Sequence, residues 1–405
     1  MKKKNILYAL TGLVTLSSVC LTSCENAEYK QLTDQAFITQ TNTNGNTIKR
    51  LAVDVDGVSS DISVRLSNPT ANTCVFNFVD NSGVLKVYNE ENGTNYQPLP
   101  EKYYALSEKD FTIEAGKALS NTAFLKVKAI PEEMTKNGEK YAVALRLTSK
   151  DGAKEVLNSG STILYLLDKV VKQPVPTITN ESVVKVKLAK NQNVTLKDWT
   201  LEYNVRISKL GKAKGELANQ CIFGAWAPSG MDGEIYTRFG DAQVEGNKIQ
   251  IKTQGVQVNT NATFEPNKWY HIAFVCEGSK LTLYVNGKAD VTLDVPGKPV
   301  TLAYDDIKLG NSDGLKSDLN ISELRLWTVA RTGNQIINNM YNVDPNAENL
   351  FMYFKLNEGS GYKFTDITKN KHTAFSNTNI KWSKPILRCL TLLLPAEIRS
   401  MLPLR

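Results

Sequence analysis

The chain predicts an all-β protein built as two sandwiches in series. Three observations carry that prediction. Apolar residues recur at every second position through most of the sequence, the period of a strand whose alternate side chains face a core. Turn-forming pairs such as Asp56-Gly57 and Asn286-Gly287 close those runs. Only two short stretches carry helical spacing instead. At 405 residues the chain exceeds one ordinary domain, and 41% hydrophobic with 22% charged residues is enough to bury a core. The formal charge of +7 sits largely at the ends, in Lys2, Lys3 and Lys4 and in Arg388, Arg399 and Arg405. The body is nearly neutral, which removes the electrostatic case for a nucleic-acid partner.

Residues 1–23 read as a targeting segment. A basic start precedes an apolar run at 6–19, which is shorter than the ~20 residues of a membrane span. Leu21-Thr22-Ser23-Cys24 resembles the bacterial lipobox, where small residues admit the signal peptidase and the cysteine thiolate accepts the diacylglycerol. Cys24 is therefore the expected lipidation site, and palmitate is one expected acyl chain. The acidic Glu25-Asn26-Ala27-Glu28 after it resembles the signal that sends Bacteroidetes lipoproteins to the outer face of the outer membrane. Residues 24–35 form a tether. The remaining cysteines, Cys74, Cys221, Cys276 and Cys389, lack any C-x-x-C spacing and read as single buried thiols, with a Cys221–Cys276 bridge as the alternative.

Residues 36–170 form the first sandwich. Leu51, Val53 and Val55 alternate with Ala52, Asp54 and Asp56. Ile62, Val64 and Leu66 follow, then Cys74, Phe76 and Phe78, and the clearest case is Tyr141, Val143, Leu145 and Leu147. Residues 83–92 (GVLKVYNEEN) suit a short helix. The sum is a small antiparallel, immunoglobulin-like sandwich. Residues 171–180, with Pro174 and Pro176, read as a stiff linker. Strands resume at 183–188, 199–207, 248–253, 269–276, 280–285, 307–310 and 319–327. Residues 331–341 alone look helical, with Thr332 as a cap and Ile336, Ile337 and Met340 on one side. From 386 the style changes to LRCLTLLLPAEIRSMLPLR, which reads as a terminal amphipathic helix or, preferably, as a tail foreign to the domain, loosely packed.

The ordered set WTLE (199–202), KWYHIA (268–273), LTLYVNG (281–287), ISELRLW (321–327), the 331–341 helix and LFMYFKLNEGSG (350–361) resembles the laminin G-like, concanavalin A-like family of bacterial surface proteins. The resemblance covers about 181–382 and implies a larger jelly-roll sandwich, the laminin G-like domain, over 181–385. The family carries an Asp where this chain has Ser322, which weakens any role for an acidic pair there. The first sandwich, with Tyr88-Asn89, Leu99-Pro100 and Tyr103-Tyr104, looks like a domain of unknown function from Bacteroidetes lipoproteins. Together the two resemblances imply a glycan-utilisation protein working beside an outer-membrane importer.

Glycoside hydrolysis needs two carboxylates about 5 to 10 Å apart across the scissile bond. Catalytic relatives of the fold place them in a Glu-x-Asp-x-x-Glu run, and no such run occurs here. His271 and His372 are the only histidines, too few for a His-rich zinc site, and His271 alternates as a structural strand residue. NEGSG (357–361) lacks the Lys-Ser/Thr of a phosphate loop. Trp199, Trp269 and Trp327 fall in strand motifs and are expected in the core, and Trp382 packs a terminal strand.

Binding a sugar needs a few aromatic rings and planar polar groups on exposed positions. Trp226 lies in the turn-rich GAWAPSG (224–230), and Tyr236 and Arg238 share one side of the next strand. Trp226, Tyr236 and Arg238, with Asp241 as an acceptor, are the expected ligand site; the competing reading is that Trp226 merely closes the sandwich end. The resemblance also implies an edge calcium ion, for which Asp232, Asp305 and Asp306 are the candidates. The expected protein is a lipid-anchored, outward-facing carbohydrate binder rather than an enzyme. It would capture a polysaccharide or host glycan for neighbouring enzymes and importer components. A protein-binding adhesin or scaffold is the alternative, and a glycoside hydrolase the third reading.

Overall fold

The computed structural model describes residues 34–41, 48–135, 139–169, 171–231, 233–384 and 386–388. Cys24, Asp232, Cys389 and the tail beyond 388 lie outside the described residues.

In the N-terminal domain the alternating runs pair into a mixed sheet ordered Ile48–Val53, Thr162–Lys169, Lys140–Ser149, Cys74–Asp80 and Phe111–Ile113. A three-stranded sheet of Val58–Ile62, Ala123–Val127 and Tyr104–Leu106 closes a core containing Phe76, Phe111 and Tyr165. The sandwich departs from the expected purely antiparallel form at two places. Ile48–Val53 runs parallel to Thr162–Lys169, and Tyr96–Pro98 runs parallel to Lys140–Ser149. The alternation also overreaches: the strand stops at Val53, and Val55, in the Asp54–Gly57 turn, is 69% exposed. The expected helix is present as α1, Val84–Asn92, which lays Leu85 on Ala142, Ala144, Leu164 and Leu166 across the outer side of the sheet.

The C-terminal domain is a sandwich of two eight-stranded sheets. One, here the open sheet, contains in chain order β1 (Val184–Lys187), β2 (Gln220–Trp226), β3 (Glu234–Asp241), β4 (Val244–Thr253), β5 (Val256–Asn259), β6 (Ile307–Leu309), β7 (Lys363–Thr365) and β8 (Thr373–Ser376). In space they lie β5-β4-β3-β2-β6-β1-β8-β7. The facing, covered sheet centres on Trp199–Ile207, Tyr270–Glu277 and Leu319–Trp327. Between them Trp199, Leu201, Tyr203, Phe223, Phe239, Phe274 and Leu326 form the core.

The outer side of the covered sheet is closed by α2, Gly333–Asn338. Thr332 caps it as expected, with the reciprocal Gln335 bond of a capping box. The helix is shorter than the 331–341 expectation because Arg325 binds the carbonyls of Asn339 (2.6 Å) and Met340 (3.1 Å), ending it there.

Residues 171–180 do not act as a spacer. Pro176–Ile178 is a strand of the covered sheet, paired with Leu319–Trp327 and with Lys381–Trp382, and Val175 is fully buried. Val171–Gln173 pairs with Ile386–Arg388, so the first residues of the atypical tail join a ladder. The prolines are tolerated because Pro174 follows the end of Val171–Gln173 and Pro176 is the first residue of Pro176–Ile178, positions where no ladder donor is needed.

The two domains meet through polar contacts around α2. Arg50 bonds Asp168 (2.9 and 3.1 Å) and Asn338 (2.7 Å), and Lys140 donates to Asn339 Oδ1 (2.7 Å) and to the Asn338 carbonyl. Gly93 ends α1 in the left-handed region (φ 59°), and a Cβ there would meet Gln335 Cγ at 2.8 Å. Burial pushes the Lys140 amine down to about 7, against the pull of Asp168. Because the docked state disfavours the charged amine, stability should rise with pH from about 7 toward the amine's ordinary 10.5. Thermal unfolding at pH 6 and pH 9 checks this: Lys140→Met should show the smaller difference between the two.

Candidate functional site

Strand pairing brings the expected ligand residues together on the solvent side of the open sheet. Gly224, in β2, stands opposite Tyr236 of β3 on one side and Lys308 of β6 on the other. The Trp226 indole folds back along its own strand so that its tip rests on Gly224, where a Cβ would meet it at 2.2 Å. Tyr236 flanks the indole at 5.4 Å between centroids with planes 43° apart, and Lys308 Nζ lies 4.4 Å from the indole centre. Trp226, Tyr236 and Lys308 are all partly exposed. Trp226 thus belongs to a sheet-face cluster; its backbone, bonded to Ala303 and Asp306, also ties the end of β2 to the next loop.

Arg238 and Asp241 are present in this cluster, with their polar groups already engaged. The guanidinium donates to Asn219 Oδ1 (2.9 Å), Asp241 Oδ2 (2.6 Å) and Gln250 Oε1 (2.6 Å), while the Tyr236 hydroxyl donates to the same Asn219 oxygen (2.7 Å). Arg238 also lies 5.4 Å from the Tyr236 ring centre. The pair therefore orients Tyr236, and Tyr236 and Lys308 stand beside Trp226. The sequence reasoning missed Gly224, Lys308 and Asn219. The Ile307-Lys308-Leu309 alternation marks Lys308 as outward-facing, but only the pairing of β6 between β2 and β1 places it beside Trp226.

Gly224→Ala is expected to lift the indole off the sheet, since the obstructing atoms belong to a side chain that can rotate away. Melting temperature should move little, while tryptophan fluorescence and ligand affinity change together.

Asp305 and Asp306 are exposed in the turn before β6, and the Asp306 carbonyl accepts from Trp226 N at 3.2 Å. Among the described residues no three His, Cys, Asp or Glu side chains converge. Asp232, the third candidate for a calcium ion, lies outside the described residues.

The ISELRLW motif serves the fold. Glu323 is the extra residue of a β-bulge, with φ 55°, and its carboxylate accepts from the Tyr353 hydroxyl. Glu202, fully buried on the neighbouring strand, accepts from Arg331 and from Trp327 Nε1, each at 2.6 Å, with His271 Nε2 at 3.4 Å. Burial pushes the Glu202 carboxyl up, but Arg325 and Arg331 outweigh it and hold the group well below the usual carboxylate range. His271 is held down by its own burial, against the pull of Glu202. His372 is likewise structural, accepting from Ala189 N at 2.9 Å.

Trp199 is buried in the core, and Trp327 is buried under the loop that closes the covered sheet. Trp269 is only partly buried, contrary to expectation, because it precedes the strand Tyr270–Glu277 and lies outside the sheet layer. Trp382 packs on Phe364 at 5.8 Å as expected. Cys74, Cys221 and Cys276 are buried free thiols, so no Cys221–Cys276 bridge forms. A cavity of about 670 Å³ lies between the domains, lined by Lys140, Asp168, Gln173, Glu323 and Lys355 among others.

Residues 181–337 match the family model of the concanavalin A-like lectin/glucanase superfamily, laminin G type. The C-terminal domain is a concanavalin A-like domain. Residues 29–154 match a family model of an N-terminal domain. No curated protein matches the chain. A crystal structure of a proposed carbohydrate-binding protein from Bacteroides ovatus is 21% identical, covering 87% of this chain and 98% of that one, with a TM-score of 0.49. A two-domain protein of unknown function from Bacteroides fragilis is 12% identical, over 71% of this chain and 94% of the other, with a TM-score of 0.30. Domain 4 of an extracellular arabinanase from Geobacillus stearothermophilus, solved with arabinotriose, is 14% identical over 40% and 75%, with a TM-score of 0.31.

Proposed function

We propose that this protein captures carbohydrate at the cell surface. In this reading it is lipid-anchored through Cys24 in the outer membrane, facing outward, and hands polysaccharide or host glycan to neighbouring enzymes and importer components. The observation that carries the carbohydrate reading is the Trp226–Tyr236–Lys308 cluster on the solvent side of a concanavalin A-like sheet. Aromatic rings present faces to the C–H side of a sugar, and the adjoining Lys308 amine suits its hydroxyls. The superfamily embraces both lectins and glucanases, so the site chemistry has to choose between them. Glu202 and Glu323, the buried acids of the covered sheet, are committed to Arg331 with Trp327 and to Tyr353, as a structural role requires. Binding without cleavage is therefore the reading favoured here.

A glycan array probed with the intact mature chain tests the proposal. Binding to a defined set of glycans, with no sugar released on incubation, is expected. Silence on every glycan, with capture of a transporter component, would favour the scaffold reading instead.

A further inference from the structure

One line of directly paired residues crosses the open sheet from edge to edge: Lys363, Phe375, Lys185, Lys308, Gly224, Tyr236, Lys252 and Gln257. Residues directly opposite in neighbouring strands share a face, so this row stands on the same side as Trp226. The indole fills the gap over Gly224. The result alternates cations with rings: Lys363, Phe375, Lys185 with Lys308, Trp226, Tyr236, Lys252. Eight strands at about 4.8 Å each make the row on the order of 30 Å long.

Two acids beside this row are already paired. Asp241 is bonded to Arg238 at 2.6 Å, and Glu234 lies 3.8 Å from Lys252. Among the described residues no carboxylate forms an ion pair with Lys185, Lys187, Lys308 or Lys363, and Lys185, Lys187 and Lys363 are exposed. A structural surface would intersperse charges of both signs. Here the unmatched amines sit on one half of the sheet, with Phe375 between Lys363 and Lys185 and Trp226 beside Lys308.

We propose that the open sheet binds an anionic polysaccharide, bearing uronate carboxylates or sulfate esters, laid across its strands along this row. The inference rests on the carbohydrate reading of the Trp226 site and narrows its ligand. The rings take the sugar faces, and the lysines take the anions at intervals along the chain.

The test measures binding of the intact chain to three immobilised polymers, polygalacturonate, dextran sulfate and uncharged dextran, alongside the neutral glycans of the array. At least one anionic polymer should be bound, more weakly as salt rises. The double variant Lys185→Ala/Lys308→Ala should weaken that binding about tenfold. Lys126→Ala/Lys128→Ala removes the same charge from the N-terminal domain and should leave it unchanged. Whichever anionic polymer is bound identifies the anion as carboxylate or sulfate. Neutral glycans bound by the unsubstituted chain, with no anionic polymer bound, would overturn the inference and leave the carbohydrate reading standing. An equal loss in the control variant would reduce the effect to bulk charge and also overturn it. Binding to none of the polymers or glycans would bring down both.

Discussion

Replacing Glu202 by glutamine is expected to lower the unfolding temperature of the C-terminal domain by on the order of 10 °C at neutral pH. Glu202 is fully buried, and its carboxylate sits against Arg331, Trp327 and His271, with Arg325 at 4.0 Å. An amide of the same shape leaves the guanidiniums buried without their counter-charge, a loss of about 3–5 kcal/mol. The pH dependence has a definite sign. The folded state holds the Glu202 carboxyl far below its ordinary 4.5, so its contribution is present above that value and drains away as pH falls below it. Glu202→Gln should therefore unfold earlier at pH 7 and lose less on acidification than the unsubstituted protein. The double variant Glu202→Leu/Arg331→Leu should recover part of the loss, because neither of those two charges then stays buried alone. Differential scanning calorimetry between pH 3 and pH 7 reads all of these outcomes.

Trp226→Ala is expected to weaken glycan binding at least tenfold while leaving the fold intact. The indole is partly exposed and rests on Gly224 rather than in the core, so its removal opens no enclosed void. Its loss at the ligand side is larger. An aromatic anchor between Tyr236 and Lys308 is the kind of residue whose truncation costs about 2 kcal/mol or more of binding. Titration calorimetry with a glycan found on the array measures the affinity, and melting temperature confirms that the sandwich survives. Tyr236→Phe should have a smaller effect, since it removes the hydroxyl that bonds Asn219 and leaves the ring in place.

Much of the architecture was legible because burial on one face forces a period of two. Trp199, Leu201, Tyr203 and Val205 are core residues as their alternation requires. The cap at Thr332 was legible because it is local chemistry within one turn. What the sequence could not supply was non-local pairing. Lys308 reaches Trp226 only because β6 inserts between β2 and β1, and Lys185 joins the row only because β1 lies next to β6. Glu202 alternates with those core residues and so faces the other side of its sheet. That side of the sheet is in fact roofed by α2 and the segment from Trp327 to Met340, so the acid is buried in an ionic cluster. Residues 171–180 misled for a related reason: two prolines suggest a spacer, whereas Pro174 follows one strand, Pro176 opens the next and Val175 packs inward. Trp226 was chosen from loop composition and Tyr236 and Arg238 from their shared side of the next strand; all three of Tyr236, Arg238 and Asp241 lie on β3, where Arg238 and Asp241 serve as supports.

A structure of the intact protein with a bound oligosaccharide, taken from the glycans it retains on the array, is the most direct measurement. Sugar rings lying along the open sheet against Trp226, Lys308 and Tyr236 are the expected result. Sugar seated instead in the interdomain cavity between Asp168 and Glu323, with the open sheet bare, would contradict the account.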